Sequence, residues 1–265
     1  MTRIPMSSDI PGVDTTVDDG VLRVTLDRPA RMNAVTTETL DVVADAFDKH
    51  AGDAEVRAAV LTGAGRAFCT GADLGGENVS GPPSSATIDA ANRTAAAIRA
   101  FPRPVIGAVN GPAAGVGVSL ALACDLTIAT ASSYFLLAFT KVGLMPDGGA
   151  TALVAASIGR ARALKMALLA ERLPAAEALA AGLIADVFPD DEFAVTVDAL
   201  ARRLADGPSE AFHFTKDAVN DATLVELDNA FARERTGQLD LLAAPDYQEG
   251  VAAFLEKRPA VFGRG

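Results

Sequence analysis

The chain has 265 residues, carries 34 acidic and 23 basic side chains for a formal net charge of −11, and is 50% hydrophobic. This apolar content excludes a largely disordered chain and suffices for one large core, or for one core with a small appendage. The acidic balance predicts no nucleic-acid partner, because no cluster of lysine and arginine is present to offset the repulsion of phosphate.

The N-terminal segment and the cysteines predict a cytoplasmic protein. Residues 1–10 contain one arginine and no apolar region of the signal-peptide type, so we expect a flexible tail there. No apolar stretch reaches the roughly 18 residues that a membrane span needs, so no membrane partner is expected. Cys69 and Cys124 cannot form a disulfide framework, and two isolated histidines make a zinc site improbable, so no metal site is predicted.

Short apolar strands alternate with helices over the first 150 residues. Two extended segments around Asp18-Asp19-Gly20 predict an opening hairpin. Three further strands are predicted at 58–62, 105–109 and 126–129. Three helices are predicted from a cap at Thr36 or Thr37 to His50, and at 89–100 and 117–123. This alternation indicates an α/β fold.

From residue 150 onward the pattern becomes helical. Helices are predicted at 151–158, 161–169, 175–181, 191–205, 209–220, 224–242 and 247–255. We therefore expect a tail over 1–10, an α/β core over 11–190 and a helical part over 191–265. The apolar faces of these alanine- and leucine-rich helices exceed what a small helical lobe can bury, which predicts self-association.

Three glycine-bearing turns follow predicted strands. The first, 62–66, lacks the third glycine and the downstream acidic residue of a dinucleotide-binding turn. The third, 110–120, places small residues directly before a buried helix, whose first amides have no acceptor within the helix. If it faces the second turn, 67–74, two backbone N–H groups would point at one oxygen and form an oxyanion hole. The alternative is that these glycines serve only tight turns and helix packing.

Five motifs, in order, resemble those of the crotonase (enoyl-CoA hydratase/isomerase) superfamily over nearly the whole chain. They are a coenzyme A motif at 28–34, an oxyanion loop at 68–74, a signature stretch at 110–125, a loop across the active site at 143–151 and a C-terminal motif at 249–259. The resemblance implies a ClpP-like superhelix of strand–strand–helix repeats. It also implies C-terminal helices that pack onto neighbours in a homotrimer or hexamer.

The same resemblance implies an acyl-CoA thioester substrate, with coenzyme A carried as part of that substrate and no separate cofactor. The oxyanion donors would be the backbone N–H groups of Ala72 and Val116. The residues implied to contact coenzyme A are Arg31, Ala34, Asp73, Leu74, Phe254 and Lys257. Arg31 would meet the phosphates, and Phe254 and Lys257 would act from an adjacent subunit. For Arg31 and Lys257 the alternative is a solvated surface charge.

The chain departs from the hydratases of this superfamily at their two catalytic glutamates. The corresponding positions are Ser119 and Phe139, and neither side chain can act as an acid or base near neutral pH. Efficient hydration by the standard mechanism is therefore not expected.

One carboxylate, Asp147, follows Pro146 at the point where some isomerases of the superfamily carry their single acid/base. The stretch 135–147 is most similar to the Pro-Asp type found in phenylacetate-pathway ring-epoxide isomerases. Burial beside Phe139 and Met145 would raise the pKa of Asp147 toward neutrality. The alternative is that Asp147 caps the helix that begins near Ala150.

Three functions follow from these observations. The first is an enoyl-CoA isomerase that shifts a double bond through an enolate. The second is a hydratase or another crotonase-type lyase or hydrolase, in fatty-acid or aromatic-acid degradation, in which Asp147 activates water. The third is a catalytically idle acyl-CoA-binding protein.

Overall fold

The computed structural model describes residues 12–75 and 84–263. The predicted tail at 1–10 and most of the glycine-rich loop at 75–85 lie outside the described residues. The strands are β1 Val13–Asp18, β2 Val21–Leu26, β3 Ala58–Gly63, β4 Val105–Val109, β5 Ala113–Ala114, β6 Leu126–Thr130, β7 Tyr134–Leu136, β8 Leu173–Pro174 and β9 Asp186–Phe188. The helices are α1 Thr37–His50, α2 Ala86–Ala100, α3 Val116–Ala123, α4 Ala150–Leu169, α5 Ala175–Ala181, α6 Phe193–Ala205, α7 Ser209–Thr223, α8 Leu227–Leu242 and α9 Pro245–Leu255.

Six strands form the main sheet in the order β1-β2-β3-β4-β6-β9, and β5-β7-β8 form a small second sheet. β1 and β2 are the predicted antiparallel hairpin, and the remaining neighbours in the main sheet are parallel. The central strand β4 is apolar and buried throughout, as a strand covered on both faces should be. The α/β fold with strand and helix alternation is confirmed.

Helices cover both faces of the main sheet. On one face the core includes buried side chains of α1, α2 and α3, and every residue of α3 except Leu122 is buried. On the other face α6 packs its residues Phe193, Val197, Ala201 and Ala205 against Val60, Ile106 and Ile128. The amphipathic pattern of α6 therefore serves the core sheet directly.

Element boundaries differ from the sequence predictions at a few positions. The break predicted between the helices 151–158 and 161–169 is confirmed, because α4 consists of two helical segments that meet at Gly159, whose φ of 75° and ψ of 162° are not helical. α2 begins three residues earlier than predicted, and α8 begins at Leu227 rather than 224. The two- and three-residue strands β5, β7, β8 and β9 were not predicted, because so few residues carry no detectable periodicity. Among the described residues, no helix has both the length and the apolar character to cross a membrane.

Candidate active site

The two predicted oxyanion loops meet at Gly71 and Gly115, whose φ angles are 99° and 54°. A Cβ atom on Gly115 would lie 3.4 Å from the Gly71 Cα, and one on Gly71 would lie 3.3 Å from the Ala114 oxygen. Backbone hydrogen bonding joins the same loops, since the Ala114 N–H donates to the Cys69 oxygen at 2.8 Å. The structure therefore brings together Ala72 and Val116, each of which follows one of these glycines.

The hydrogen bonds around Ala72 and Val116 determine which amides can serve a ligand. Val35 pairs with the residues on either side of Ala72, because its N–H donates to Gly71 and its oxygen accepts from Asp73, both at 2.9 Å. The Ala72 N–H consequently points away from Val35. Val116 is the first residue of α3, a position whose N–H has no acceptor within its own helix. The pairing with Val35 and the helix α3 therefore use neither amide, which is a condition for either to serve as an oxyanion donor.

The residues at the two hydratase glutamate positions are engaged in packing. Ser119 is fully buried, and its hydroxyl donates to the backbone oxygen of Asp147 at 2.7 Å. Phe139 is 9% exposed, and the Cζ atom of its ring lies 3.8 Å from the position of a Cβ on Gly115. An aromatic edge therefore stands next to the oxyanion loop, where the hydratases of this fold would place a carboxylate.

Asp147 lies on a loop that packs against the first turn of α3. A Cβ atom on its neighbour Gly148 would lie 3.0 Å from the Ser119 Cβ and 3.3 Å from the Val116 Cγ2. The Val116 side chain thus contacts the Asp147 loop. All three residues predicted to act in catalysis, Ala72, Val116 and Asp147, belong to segments that touch one another.

The carboxyl of Asp147 has a partner from the C-terminal helices. Its Oδ2 accepts a hydrogen bond from the Gln238 Nε2 at 2.8 Å. Burial raises the pKa of Asp147 to about 7, the Gln238 hydrogen bond opposes that rise, and the negative charge of Glu234 adds to it. A carboxyl with a pKa near 7 can both accept and release a proton at neutral pH.

The alternative that Asp147 caps α4 is wrong. The N-cap of α4 is Gly149, with φ of 82° and no side chain that could bond to the first turn. The Asp147 carboxyl bonds to Gln238 and not to the first turn of α4. The carboxylate that does so is Glu234 of α8, which accepts from the Gly149 N–H at 2.7 Å and from the Thr151 N–H at 2.8 Å. Glu234 also accepts from the Thr151 hydroxyl and is fully buried, so both of its oxygens are occupied by protein donors.

Sequence reasoning missed Glu234 and Gln238. They lie 83 or more residues from their partners, and on a predicted helix they resemble ordinary polar surface residues. Gly237, between them, was the available signal, because a glycine within a helix indicates close approach of another segment. A Cβ there would lie 2.4 Å from the Met145 sulfur.

The predicted coenzyme A residues of the N-terminal half form one cluster. The Arg31 Nη1 and the Asp73 Oδ1 lie 3.4 and 3.5 Å from the position of a Cβ on Gly75, the residue after Leu74. Arg28, which was not predicted to act here, joins the segments. It donates to the Ala34 oxygen and, at 2.9 Å, to the Asp73 Oδ2. Asp73 therefore fixes the oxyanion loop at 68–74 to Arg28.

Phe254 and Lys257 lie at the end of α9 and just beyond it. α9 packs against the 3-10 turn Phe139–Val142 and against α8 of the same chain. Phe254 is 59% exposed. Within the described part of a single chain, no hydrogen bond or ion pair joins either residue to the Arg31 cluster, and their action on a neighbouring subunit stays a prediction.

Neither a reactive thiol at Cys69 nor a metal site is found among the described residues. Burial raises the pKa of the Cys69 thiol to about 12, so it is not a nucleophile at neutral pH. The described residues contain no group of three or more histidine, cysteine, aspartate or glutamate side chains placed to hold a metal ion.

Comparisons with known proteins identify the family of the chain. A family model described as enoyl-CoA hydratase/isomerase matches residues 16–265. A probable enoyl-CoA hydratase of Rhodobacter capsulatus is 43% identical over 93% of this chain and 95% of that protein. The 1,2-epoxyphenylacetyl-CoA isomerase of Escherichia coli K12 is 41% identical over 93% of this chain and 96% of that protein.

Solved structures give the same result. The crystal structure of an enoyl-CoA hydratase from Mycobacterium avium subsp. paratuberculosis K-10 matches with a TM-score of 0.91 and 50% identity, over 96% of this chain and 99% of that one. An enoyl-CoA hydratase/isomerase from Pseudoalteromonas atlantica T6c matches with a TM-score of 0.86 and 32% identity, over 95% of this chain and 100% of that one. The chain therefore belongs to the enoyl-CoA hydratase/isomerase family, has the crotonase fold and is a crotonase-type acyl-CoA enzyme.

Proposed function

We propose that the protein is an enoyl-CoA isomerase with Asp147 as its single acid/base. The Asp147 carboxylate removes a proton from the α-carbon of a β,γ-unsaturated thioester. The electron pair moves onto the thioester oxygen, which the amides of Ala72 and Val116 stabilise. The resulting dienolate takes the same proton back at its γ-carbon, so the double bond becomes conjugated and no water is consumed.

The observation that carries this proposal is the setting of Asp147. Its pKa of about 7 suits proton removal and return, and it lies on a loop packed against the helix that begins at Val116. Glu234, the nearest other carboxylate to influence it, has both oxygens bound by Gly149 and Thr151. One available carboxylate supports a proton shuttle rather than the two-carboxylate water site of a hydratase.

The apolar surroundings favour the same chemistry. The Phe139 ring stands beside Gly115 and contributes no polar group that could hold a water molecule. A water-poor site strengthens the hydrogen bonds from the oxyanion amides, and one such donor contributes roughly 3–4 kcal/mol in well-studied enzymes. General acid–base catalysis adds a further factor of about 10² to 10⁴ in rate.

Two relatives extend the range of substrates to be tested. The Escherichia coli relative is named for a ring-epoxide thioester, 1,2-epoxyphenylacetyl-CoA, which makes that compound the second substrate to assay. The Rhodobacter capsulatus relative is named a probable enoyl-CoA hydratase, so hydration of crotonyl-CoA is the competing activity. The absence of a second available carboxylate beside Asp147 among the described residues favours isomerisation.

The variant Asp147→Asn tests the proposal, because it preserves size and an acceptor for Gln238 but removes the base. With 3-hexenoyl-CoA we expect formation of the conjugated product to fall at least about 100-fold. Acyl-CoA affinity should be nearly unchanged, since the variant leaves the Ala72 and Val116 amides in place. Equal rates in the two proteins would refute the role of Asp147, and faster hydration of crotonyl-CoA than isomerisation would favour a hydratase. Tight acyl-CoA binding without turnover of any of the three thioesters would favour the idle binder.

We further propose that the chain assembles as a homotrimer or a pair of trimers and that Arg31, Phe254 and Lys257 hold coenzyme A. Leu168, Leu169, Phe214 and Val225 are more than half exposed in the single chain, which supports self-association. Light scattering at micromolar concentration should give at least three times the mass of the chain, and a stable monomer would contradict the assembly.

A further inference from the structure

Gln238 is a buried amide whose two ends make different hydrogen bonds. It is 1% exposed on α8, its Oε1 accepts from the Met145 N–H at 3.3 Å and its Nε2 donates to the Asp147 Oδ2 at 2.8 Å. The Met145 amide can only donate, so the end of Gln238 that faces it must be the oxygen. The nitrogen therefore faces Asp147.

This orientation restricts where Asp147 can carry its proton. An amide NH₂ group donates and does not accept, so the Asp147 oxygen that it faces must remain an acceptor. We propose, on the basis of the isomerase function above, that Gln238 is a positioning residue that orients the Asp147 carboxyl and keeps its transferable proton on Oδ1. The oxygen that exchanges a proton with substrate is then Oδ1, while Oδ2 keeps its hydrogen bond from the Gln238 Nε2.

Side chains on one face of α8 contact the segment from Met145 to Thr151, which carries Asp147. Leu227 and Phe231 pack against Gly149, Glu234 binds the backbone at Gly149 and Thr151, and Gln238 binds Met145 and Asp147. The spacing of four, three and four residues places these side chains on one side of the helix. The loop is therefore fixed at both ends by a single rigid element, which is the condition for precise orientation of a carboxyl.

The charged groups near Asp147 determine how its protonation should respond to mutation. The Gln238 hydrogen bond favours the ionised carboxyl, and the negative charge of Glu234 disfavours it. α3 contributes the neutral Ser119 hydroxyl, which binds only the backbone oxygen of Asp147. On α9, Asp246 packs through its backbone against Gly143, and its carboxylate accepts from the Gly263 N–H at 3.0 Å. Gln238 and Glu234 should therefore affect the pKa of Asp147 in opposite directions.

The experiment compares four variants by the pH dependence of kcat/KM for 3-hexenoyl-CoA isomerisation. Gln238→Met removes the hydrogen bond and should raise the midpoint of the acidic limb by about one pH unit. Gln238→Glu keeps an acceptor for Met145 but presents an oxygen to Asp147, and it should also raise the midpoint, because two adjacent carboxyls resist double ionisation. Glu234→Gln should lower the midpoint. Ser119→Ala loosens the same loop without changing the partners of the carboxyl, so its midpoint should match that of the wild type.

A purely structural role for Gln238 predicts a different pattern. In that case Gln238→Met would reduce kcat/KM equally at every pH and leave the midpoint unchanged, which overturns the proposal. If Gln238→Met fails to fold, an unshifted midpoint in Gln238→Glu overturns the proposal instead, because a carboxyl that faces Asp147 must raise the midpoint.

A second measurement does not depend on activity. The infrared band of the protonated Asp147 carboxyl, identified by its loss in Asp147→Asn, should titrate near pH 7 in the wild type and at higher pH in both Gln238 variants. Shifted titration in an enzyme that does not isomerise would refute the isomerase function and leave the role of Gln238 standing. Unshifted titration with normal isomerisation would refute the role of Gln238 alone.

Discussion

Two aspartates, Asp125 and Asp147, lie where the C-terminal helices contact the α/β core, and their partners differ. The Asp125 Oδ2 accepts from the Lys216 Nζ at 2.7 Å and from the Val105 N–H at 2.8 Å. Burial raises the pKa of Asp125, but the Lys216 ammonium opposes that rise. Asp147 is half-buried and accepts from a neutral amide, that of Gln238, with the negative charge of Glu234 rather than a positive charge nearby.

The difference separates a structural acid from an acid that can exchange protons. Lys216 is 9% exposed and also donates to the backbone oxygens of Phe101 and Arg103, so it attaches α7 to the loop before β4. An ion pair of this kind favours the charged form of Asp125 and fixes the carboxylate in place. Asp147 has no such cation among its described partners, and its pKa of about 7 leaves the proton exchangeable.

The largest effect on stability should come from breaking the structural pair. Lys216→Met leaves the Asp125 carboxylate buried without its cation, and breaking a buried pair from one side costs about 3–5 kcal/mol. We expect the free energy of unfolding, measured by urea denaturation, to fall by that amount. The kcat of the folded enzyme should change little, because Lys216 contacts no part of the Asp147 loop in the described structure.

Two further variants sharpen this prediction. Arg93→Met removes a surface cation that contacts Asp41, Asp45 and Asp48, and exposed pairs of this kind contribute about 1 kcal/mol or less. The double variant Lys216→Met with Asp125→Asn removes the uncompensated charge and should recover part of the lost stability. If Lys216→Met and Arg93→Met lower the free energy of unfolding equally, the buried pair contributes no more to stability than the exposed one.

The sequence predicted the elements and the loops whose signals are local. The glycines before Ala72 and Val116, and the proline before Asp147, lie within a few residues of the groups that they position. The strands β2 to β4 and the helix α3 are apolar enough to be identified individually. The short strand β9 pairs in parallel with β6, and that pairing joins Ile128 to Asp186, which are far apart in the sequence. No local pattern predicts such a strand.

The supporting contacts of the site could not be predicted in the same way. Gln238 and Asp147 are 91 residues apart, and Lys216 and Asp125 are also 91 residues apart. Apart from Gly237, nothing in the sequence near Gln238 or Lys216 distinguishes a buried side chain from a solvated one on a polar helix. For the same reason the sequence offers the nearby Asp147 as an alternative cap of α4, whereas the distant Glu234 fills that role.

A further effect concerns the pH dependence of stability at Asp147. Its pKa is about 7 in the folded protein and near 3.8 in the unfolded chain. Between these values the unfolded chain releases the proton first, so ionisation progressively favours unfolding as the pH rises, by at most about 1.4 kcal/mol per pH unit. Above pH 7 the folded protein also ionises, and the penalty stays constant.

Asp147→Asn removes this penalty and should therefore be more stable relative to the wild type at pH 8 than at pH 5. Urea denaturation of both proteins at several pH values should show a difference that grows through this window and levels off above pH 7. Asp125→Asn should behave in the opposite way at pH 8, because it leaves the Lys216 ammonium buried without its counter-charge and destabilises the fold. If the two asparagine variants change stability with the same sign at pH 8, the distinction between a paired and an exchangeable aspartate does not hold. A difference for Asp147→Asn that is independent of pH would mean that its carboxyl ionises at the same pH in the folded and unfolded chain, and would remove the electrostatic basis for its role as a proton shuttle.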